Sequence, residues 1–545
     1  MGEQMTIATK QQPSSQSRGL LITGLIIAML FAALDGTIVG TAMPRIVGEL
    51  GGLGVMTWLT TAYMLTSTTM VPIAGKLADL LGRKVVYITG LIIFMVGSVL
   101  CGFTDSMTQL IVYRGLQGIG GGIMMPMALI IIGDLFTGKE RAKWQGVFGA
   151  LYGLSSVIGP PVGGYIVDAL NWRWVFYINL PIGIIATIFI AMGLKKHTVT
   201  GPIKIDFAGI TTMIIGVVSM LLALTFGGKE YAWFSWQVIG LMTVSIVAIA
   251  SFIRIEKKTE EPILPVNLFA NKIFSSLNGV GFLMSVGMFG AIMFVPLFMQ
   301  GVVGISPSES GAIMTPMMLT MILTSVVGSR MVYRWGVKKQ ILVGMIIMAT
   351  GFGFLTSMGI DTTKLTATSF MMVIGLGMGL VMPIITLALQ ESFPKSQLGV
   401  VTSSSQFFRS IGGTFGVTIL GSVMNAKSAS LLTDYLLPLL HKLPPQAKGM
   451  VDQIAMEIHT NPQGLYSMLF SPEAMQKVPE SVRDQLIPVL KHSMVESLHV
   501  VFMVSFGIVL VGAILTLWLP HIPLGSARKV TQENSVNESP PVMEK

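Results

Sequence analysis

Leu34-Asp35-Gly36-Thr37-Ile38-Val39-Gly40-Thr41-Ala42-Met43-Pro44 places an acid near the end of an otherwise apolar run from Leu20 to Met43. A helical run of that length crosses about 30 Å of hydrocarbon. An ionisable group inside such a run costs about 2.5–3.5 kcal/mol on insertion scales, so Asp35 reads as a working residue rather than filler. The run is too long for a signal-peptide core and ends without a small-residue cleavage site. It therefore reads as a retained first span behind a polar tail, 1–18, carrying Lys10 and Arg18.

Working outward, only 11% of the 545 residues are charged and 52% are hydrophobic. A soluble domain carries roughly 25% charged residues, so the solvent implied here is lipid. Gly 61 and Met 40 agree, because small residues let membrane helices approach closely. Stretches long enough to span recur near 19–43, 55–75, 84–103, 108–133, 143–167, 174–194, 207–227 and 235–254. Six more follow near 273–298, 308–328, 339–358, 366–390, 400–424 and 496–520. Fourteen spans put both termini on one side.

Loop charge sets the orientation. One alternating set of short loops holds Lys76, Arg83, Lys84, Lys139, Arg141, Lys143, Lys195, Lys196 and Lys204. The same set continues through Arg254, Lys257, Lys258, Lys272, Arg330, Arg334, Lys338, Lys339 and Lys395. The opposite loops hold only Arg45, Arg173, Lys229 and Lys364. The positive-inside rule makes the first set cytoplasmic, with both termini. The net charge of +9 is thus a topology signal and not a nucleic-acid footprint. The long segment 425–495 falls outside and mixes apolar turns with balanced charge, which suits short amphipathic helices on the membrane or a tolerated insertion.

Gly75-Lys76-Leu77-Ala78-Asp79-Leu80-Leu81-Gly82-Arg83-Lys84 joins spans 2 and 3, and Ser329-Arg330-Met331-Val332-Tyr333-Arg334-Trp335-Gly336-Val337-Lys338 joins spans 10 and 11. Their Gly and basic positions align, with Asp79 matched by Tyr333, as repeated six-helix halves require. A tight cytoplasmic loop needs glycine and basic residues, but it does not need Asp79. Arg114, in Arg114-Gly115-Leu116-Gln117-Gly118-Ile119-Gly120-Gly121-Gly122, lies too deep in its span to be a simple snorkelling residue. The glycines after it lack a preceding strand and a Walker lysine, so helix packing explains them better than a nucleotide loop. In span 5, Gly149 and Gly153 share a face, as do Gly159 and Gly163, while Pro160 and Pro161 remove backbone donors and should bend the helix.

Leu34–Pro44, Gly75–Lys84, Arg114–Gly122, Gly159-Pro160-Pro161-Val162-Gly163-Gly164 and Asn171-Trp172-Arg173-Trp174-Val175-Phe176-Tyr177-Ile178-Asn179-Leu180-Pro181 together resemble one family. It is the fourteen-helix drug:proton antiporter branch of the major facilitator superfamily, the EmrB/QacA subfamily. The resemblance runs from Leu34 to about Pro520. Where that branch usually has Asn in its first helix, this chain has Gly40. The resemblance implies an all-α integral membrane fold with two six-helix bundles plus two inserted helices. The expected layout is a tail (1–18), a first bundle (19–194), a linker with two extra helices (195–272), a second bundle (273–520) and a tail (521–545).

The resemblance further implies that Asp35 and Arg114 couple to protons. It makes Gly75, Asp79, Gly82 and Arg83 a conformational latch, and Gly149, Gly153, Gly159, Pro160, Pro161, Gly163 and Gly164 an antiporter motif that exporters carry. Arg409 is a second intramembrane cation, open to a structural or a gating reading. Tyr63, Gln117, Asn278, Gln300, Gln390 and Gln406 are candidates for facing substrate or a gate, although single polar residues also stabilise helix contacts.

No enzyme chemistry emerges. His197, His441, His459, His492, His499 and His521 sit in loops or at span ends without metal-ligand pairing, and Cys101 is the only cysteine. With no P-loop, an ion gradient is the energy source. The expectation is a monomeric exporter in a bacterial plasma membrane that uses protons and no other cofactor. Its cargo would be small amphipathic drugs, with neutral, zwitterionic or monocationic compounds favoured because no further acid lies firmly inside a span. The alternatives are a dedicated exporter of one metabolite, antibiotic or lipid, and an uncoupled sensor or channel on the same scaffold.

Overall fold

The computed structural model describes residues 15–51, 55–195, 204–228, 230–440, 455–456, 458, 465–466 and 480–524. Both ends of the chain, most of 441–479, and Lys196, His197, Lys229, His441 and His459 lie outside the described residues.

Among the described residues, fourteen long helices follow in chain order. The first six are α1 Ser15–Leu50, α2 Trp58–Leu81, α3 Arg83–Gly102, α4 Met107–Leu135, α5 Gly138–Ala169 and α6 Trp174–Gly193. Two more, α7 Phe207–Phe226 and α8 Trp236–Glu256, match the expected inserted pair. The last six are α9 Lys272–Phe298, α10 Pro307–Trp335, α11 Val337–Leu355, α12 Lys364–Ser392, α13 Leu398–Tyr435 and α14 Glu480–Leu517. Helices suit this sequence because hydrocarbon offers no partner to a backbone N–H or C=O, so each span must satisfy its own.

Thirteen of these helices are long and apolar enough to cross a membrane by length and composition. The remaining one, α2, has 24 residues, but its apolar character is diluted by Thr60, Thr61, Thr66, Ser67, Thr68 and Thr69. Two of these hydroxyls bond back to their own helix: Thr66 Oγ1 donates to the Ala62 carbonyl at 3.0 Å and Ser67 Oγ to the Met64 carbonyl at 3.2 Å.

Helix ends follow local chemistry. Asp206 accepts from the Gly209 N–H at 2.8 Å to start α7, and Asn271 caps α9 through the Ile273 N–H at 2.9 Å. Ser306 and Glu309 form a capping box at α10. The two loops of the internal repeat turn at equivalent glycines, Gly82 at φ 89° and Gly336 at φ 76°. Only glycine adopts that conformation freely, so the repeat in sequence is also a repeat in backbone geometry.

At its described ends, the segment 425–495 differs from the expected surface helices. α13 continues to Tyr435 and α14 already begins at Glu480, so both ends of 425–495 are extensions of spans. Burial explains this: Leu431, Leu432, Leu436, Leu490 and Met494 are buried, and Ser428 Oγ donates to Ser497 Oγ at 3.0 Å.

The chain forms two compact units. The first comprises Met1–Ser67, Leu77–Ala128 and Gly159–Ile203; the second comprises Thr68–Lys76, Leu129–Ile158 and Lys204–Lys545. Within the second, α7 and α8 pair closely, with Ser245 Oγ donating to the Gly216 carbonyl at 2.8 Å. Thr418 of α13 donates to the Leu224 carbonyl at 3.2 Å, attaching the pair to the later helices.

Candidate functional site

In the first unit, α1, α3, α4 and α6 bring five polar side chains together where apolar residues dominate. Asp35 is 1% exposed and Arg114 2%. Arg114 Nη1 donates to Asp35 Oδ2 at 2.6 Å and to Gln117 Oε1 at 2.8 Å. The other carboxylate oxygen, Asp35 Oδ1, accepts from Gln117 Nε2 and from Asn179 Nδ2, both at 2.9 Å. Ser98 Oγ receives Asn179 Nδ2 at 2.7 Å and donates to the Phe176 carbonyl at 2.9 Å. The Tyr63 ring lies 4.4 Å from the Arg114 guanidinium carbon, a cation–π contact that further occupies the buried charge.

Local sequence explains the arrangement. Arg114 and Gln117 are three apart on α4 and so share a face. Gly97 lies against the Gln117 backbone, where a Cβ would come 2.7 Å from its Cα, so α3 and α4 approach closely enough for Ser98 to reach the cluster. Chemically, an ionised carboxylate is an acceptor only, and three N–H donors converge on this one. A proton placed on Oδ2 would displace Arg114 and leave a buried guanidinium short of a partner, so the charge on Asp35 and the packing of α1 against α4 are linked.

The antiporter-motif glycines sort by neighbour. Gly159 and Gly163 face α1: a Cβ at Gly163 would stand 3.1 Å from the Ile38 Cα, and one at Gly159 would strike Thr37. Gly153 instead meets Met321 and Ile322 of α10, at 2.8 and 3.0 Å, and Gly149 faces Ser325 at 3.6 Å. Pro160 and Pro161 lie inside an uninterrupted α5. Gly40 has open space beside it, so the missing asparagine leaves room rather than a collapsed contact. Across the Gly82 turn, Asp79 Oδ1 in the last turn of α2 pairs with Arg83 Nη1 at the start of α3 at 2.6 Å.

A second polar cluster lies in the second unit. Arg141 Nη1 donates to Glu391 Oε1 at 2.8 Å and to the Gln390 carbonyl at 2.9 Å, while its Nε donates to the Phe136 carbonyl at 2.9 Å. Gln145 Nε2 donates to Gln390 Oε1 at 2.9 Å, and Gln390 Nε2 donates onward to Thr402 Oγ1 at 3.1 Å. Gln390 Nε2 also donates to the Leu129 carbonyl at 3.0 Å, so this side chain bonds to α4, α5 and α13. Arg409 Nη2 donates to Gln406 Oε1 at 2.8 Å, and no acid pairs with it among the described residues. Gln300 Nε2 donates to Ser310 Oγ at 2.7 Å, and Asn278 lines a separate cavity.

Sequence reading alone did not assign Ser98 to the site. In the sequence Asn179 reads only as part of the string 171–181, Arg141 only as a loop charge and Gln117 only as a candidate for facing substrate or a gate. The i,i+3 spacing of Arg114 and Gln117 was the one signal that could have joined Gln117 to the carboxylate.

Among the described residues, thirteen helices long and apolar enough to cross a membrane and a charged network sealed within one unit define a polytopic membrane protein. Residues 25–417 match the Major Facilitator Superfamily, and the chain belongs to that family. It is 64% identical over 523 residues to the "Multidrug transporter protein MdtP" of Bacillus subtilis (strain 168), covering 96% of this chain and 97% of that protein. It is 34% identical to "Multidrug resistance protein 3" of the same organism, over 97% of this chain and 100% of the relative. The crystal structure of the human organic anion transporter MFSD10 (TETRAN) has a similar fold, with a TM-score of 0.57 at 14% identity, covering 84% of this chain and 99% of that one.

Proposed function

We propose that this chain is a drug:proton antiporter that exports small amphipathic compounds across a bacterial plasma membrane by alternating access. The observation that carries the reading is the sealed Asp35–Arg114 pair, whose donors all converge on one carboxylate. The near full-length similarity to a protein named a multidrug transporter supports the substrate class. In this reading Asp35 takes up a proton from outside, releases Arg114, and loses the proton when the site opens inward. An inward proton gains about 2.3 kcal/mol per 100 mV of membrane potential, which drives the cargo outward.

The orientation belongs to the same reading, with both termini and the basic loops cytoplasmic. So does the division into bundles at 19–194 and 273–520 with a linker pair at 195–272, working as a monomer. Asp79 and Arg83 act as a latch in this scheme. Asp79→Asn should insert normally yet transport more slowly, and unchanged turnover at matched expression would remove the latch.

The decisive measurement is drug accumulation against its gradient in inside-out vesicles of an efflux-deficient host. Uphill uptake that appears on acidifying the lumen and collapses with a protonophore is the expected result. Uptake indifferent to the protonophore would exclude proton coupling, and equilibration without accumulation would leave an uncoupled channel.

A further inference from the structure

In the second unit, α7, α8, α9 and α13 enclose a cavity of about 720 Å³. That size suits a drug-sized molecule. Its walls include Phe252, Phe282, Phe407, Phe408, Met213 and Met220, and no lining residue is charged. Phe269 and Ile253, also in the wall, are exposed, so the cavity communicates with the surface that bilayer would cover.

Two polar side chains reach this apolar wall, and they differ. Ser275 Oγ is spent on the Phe269 carbonyl at 2.6 Å. Asn278 is 4% exposed, and its Nδ2 donates to the Phe274 carbonyl at 2.8 Å. Its Oδ1, however, has no hydrogen-bond partner among the described residues. A buried acceptor left without a donor is costly, and native proteins rarely tolerate one. A trapped water needs two to four polar partners, which this wall does not offer. The missing donor is best supplied by a molecule whose remaining surface is apolar.

We propose that this cavity binds an uncharged, largely apolar molecule taken from the bilayer and carrying one hydroxyl or N–H donor for Asn278 Oδ1. Phenylalanine rings and flexible methionines accept varied apolar shapes, while the asparagine oxygen fixes the polar end. A charged headgroup is excluded because no lining residue could neutralise it. The inference stands apart from proton coupling and efflux, since it uses neither Asp35 nor a gradient.

The test uses the full chain in lipid nanodiscs with two photoactivatable probes, a diazirine-bearing hexadecanol and its methyl ether. The two match in length, and only the alcohol can donate. The alcohol should label peptides containing Met213, Met220 or Phe282 about 3- to 10-fold more than the ether, the factor one net hydrogen bond supplies. Asn278→Leu should bring the alcohol down to the ether's level. Val217→Trp, which fills the cavity from α7, should remove labelling by both and serves if the first variant does not fold. Equal labelling by alcohol and ether in the unaltered chain overturns the proposal, as does alcohol labelling that persists in Val217→Trp. Competition separates the sources: stronger displacement by diacylglycerol assigns a membrane lipid, and stronger displacement by a neutral hydroxyl-bearing drug assigns a drug-like compound dissolved in the bilayer.

Discussion

Asp35 accepts from Arg114, Gln117 and Asn179, and that stoichiometry makes its substitutions informative. An asparagine there offers one acceptor oxygen and an NH₂ group that meets other donors, so part of the network must rearrange. If Asp35 carries the proton, Asp35→Asn inserts and folds but cannot drive uphill efflux, while Asp35→Glu keeps partial activity with a shifted pH optimum. If the residue only pairs with Arg114, Asp35→Asn leaves a buried guanidinium and loses about 3–5 kcal/mol of stability. In that case Asp35→Asn combined with Arg114→Gln recovers function. Vesicle transport and thermal unfolding of purified protein distinguish the two; gradient-driven efflux by well-folded Asp35→Asn protein would sink the coupling role.

At the scale of elements, the glycines decide which helices touch. Within one short string of α5, Gly159 lies against Thr37 of α1, whereas Gly164 has nothing within 4 Å of an added Cβ. Gly159→Ala should therefore force α5 away from the helix that carries Asp35, costing about 1–3 kcal/mol as overpacking does, with a matching fall in transport. Gly164→Ala should be nearly silent in both. Equal losses in melting temperature and transport would show that the string acts through something other than packing. The same logic runs through the repeat. Gly75 of α2 meets Ser403 of α13, and Gly146 of α5 meets Ser329 of α10, where Ser329 is the position matched to Gly75. Small residues thus recur at equivalent points of the two repeat loops, where helices pack at van der Waals distance.

Across the whole molecule, the second unit is tied by Arg141, which reaches Glu391 and the carbonyls of Phe136 and Gln390. Arg141→Ala strands a largely buried carboxylate and should lower stability by about 3 kcal/mol. Glu391→Gln keeps an acceptor and should cost less; if both variants melt like the parent, the cluster is incidental. Orientation is checked in intact cells with single cysteines in a Cys101→Ala background. Lys258→Cys should react only with permeant thiol reagents, and Thr362→Cys should react with impermeant ones. Impermeant labelling at position 258 would invert the proposed topology.

Span number, the inserted helix pair and the repeat were all legible in the sequence, because hydrocarbon imposes one rule on every span. Each must be about twenty apolar residues long and satisfy its own backbone, and that rule is written locally. Gly82 and Gly336 were legible for a similar reason, since a positive φ restricts the residue type at a single position. Partnership was not legible. Ser98, Asn179 and Arg141 carry no local mark of what they bond, because their partners lie 81, 144 and 250 residues distant along the chain. Nor does the sequence reveal that the chain from Glu480 extends a span, since the burial of Leu486, Leu490 and Met494 decides that. Membrane insertion is a property of a segment, whereas a buried polar bond is a property of a pair, and only the tertiary structure chooses the pairs.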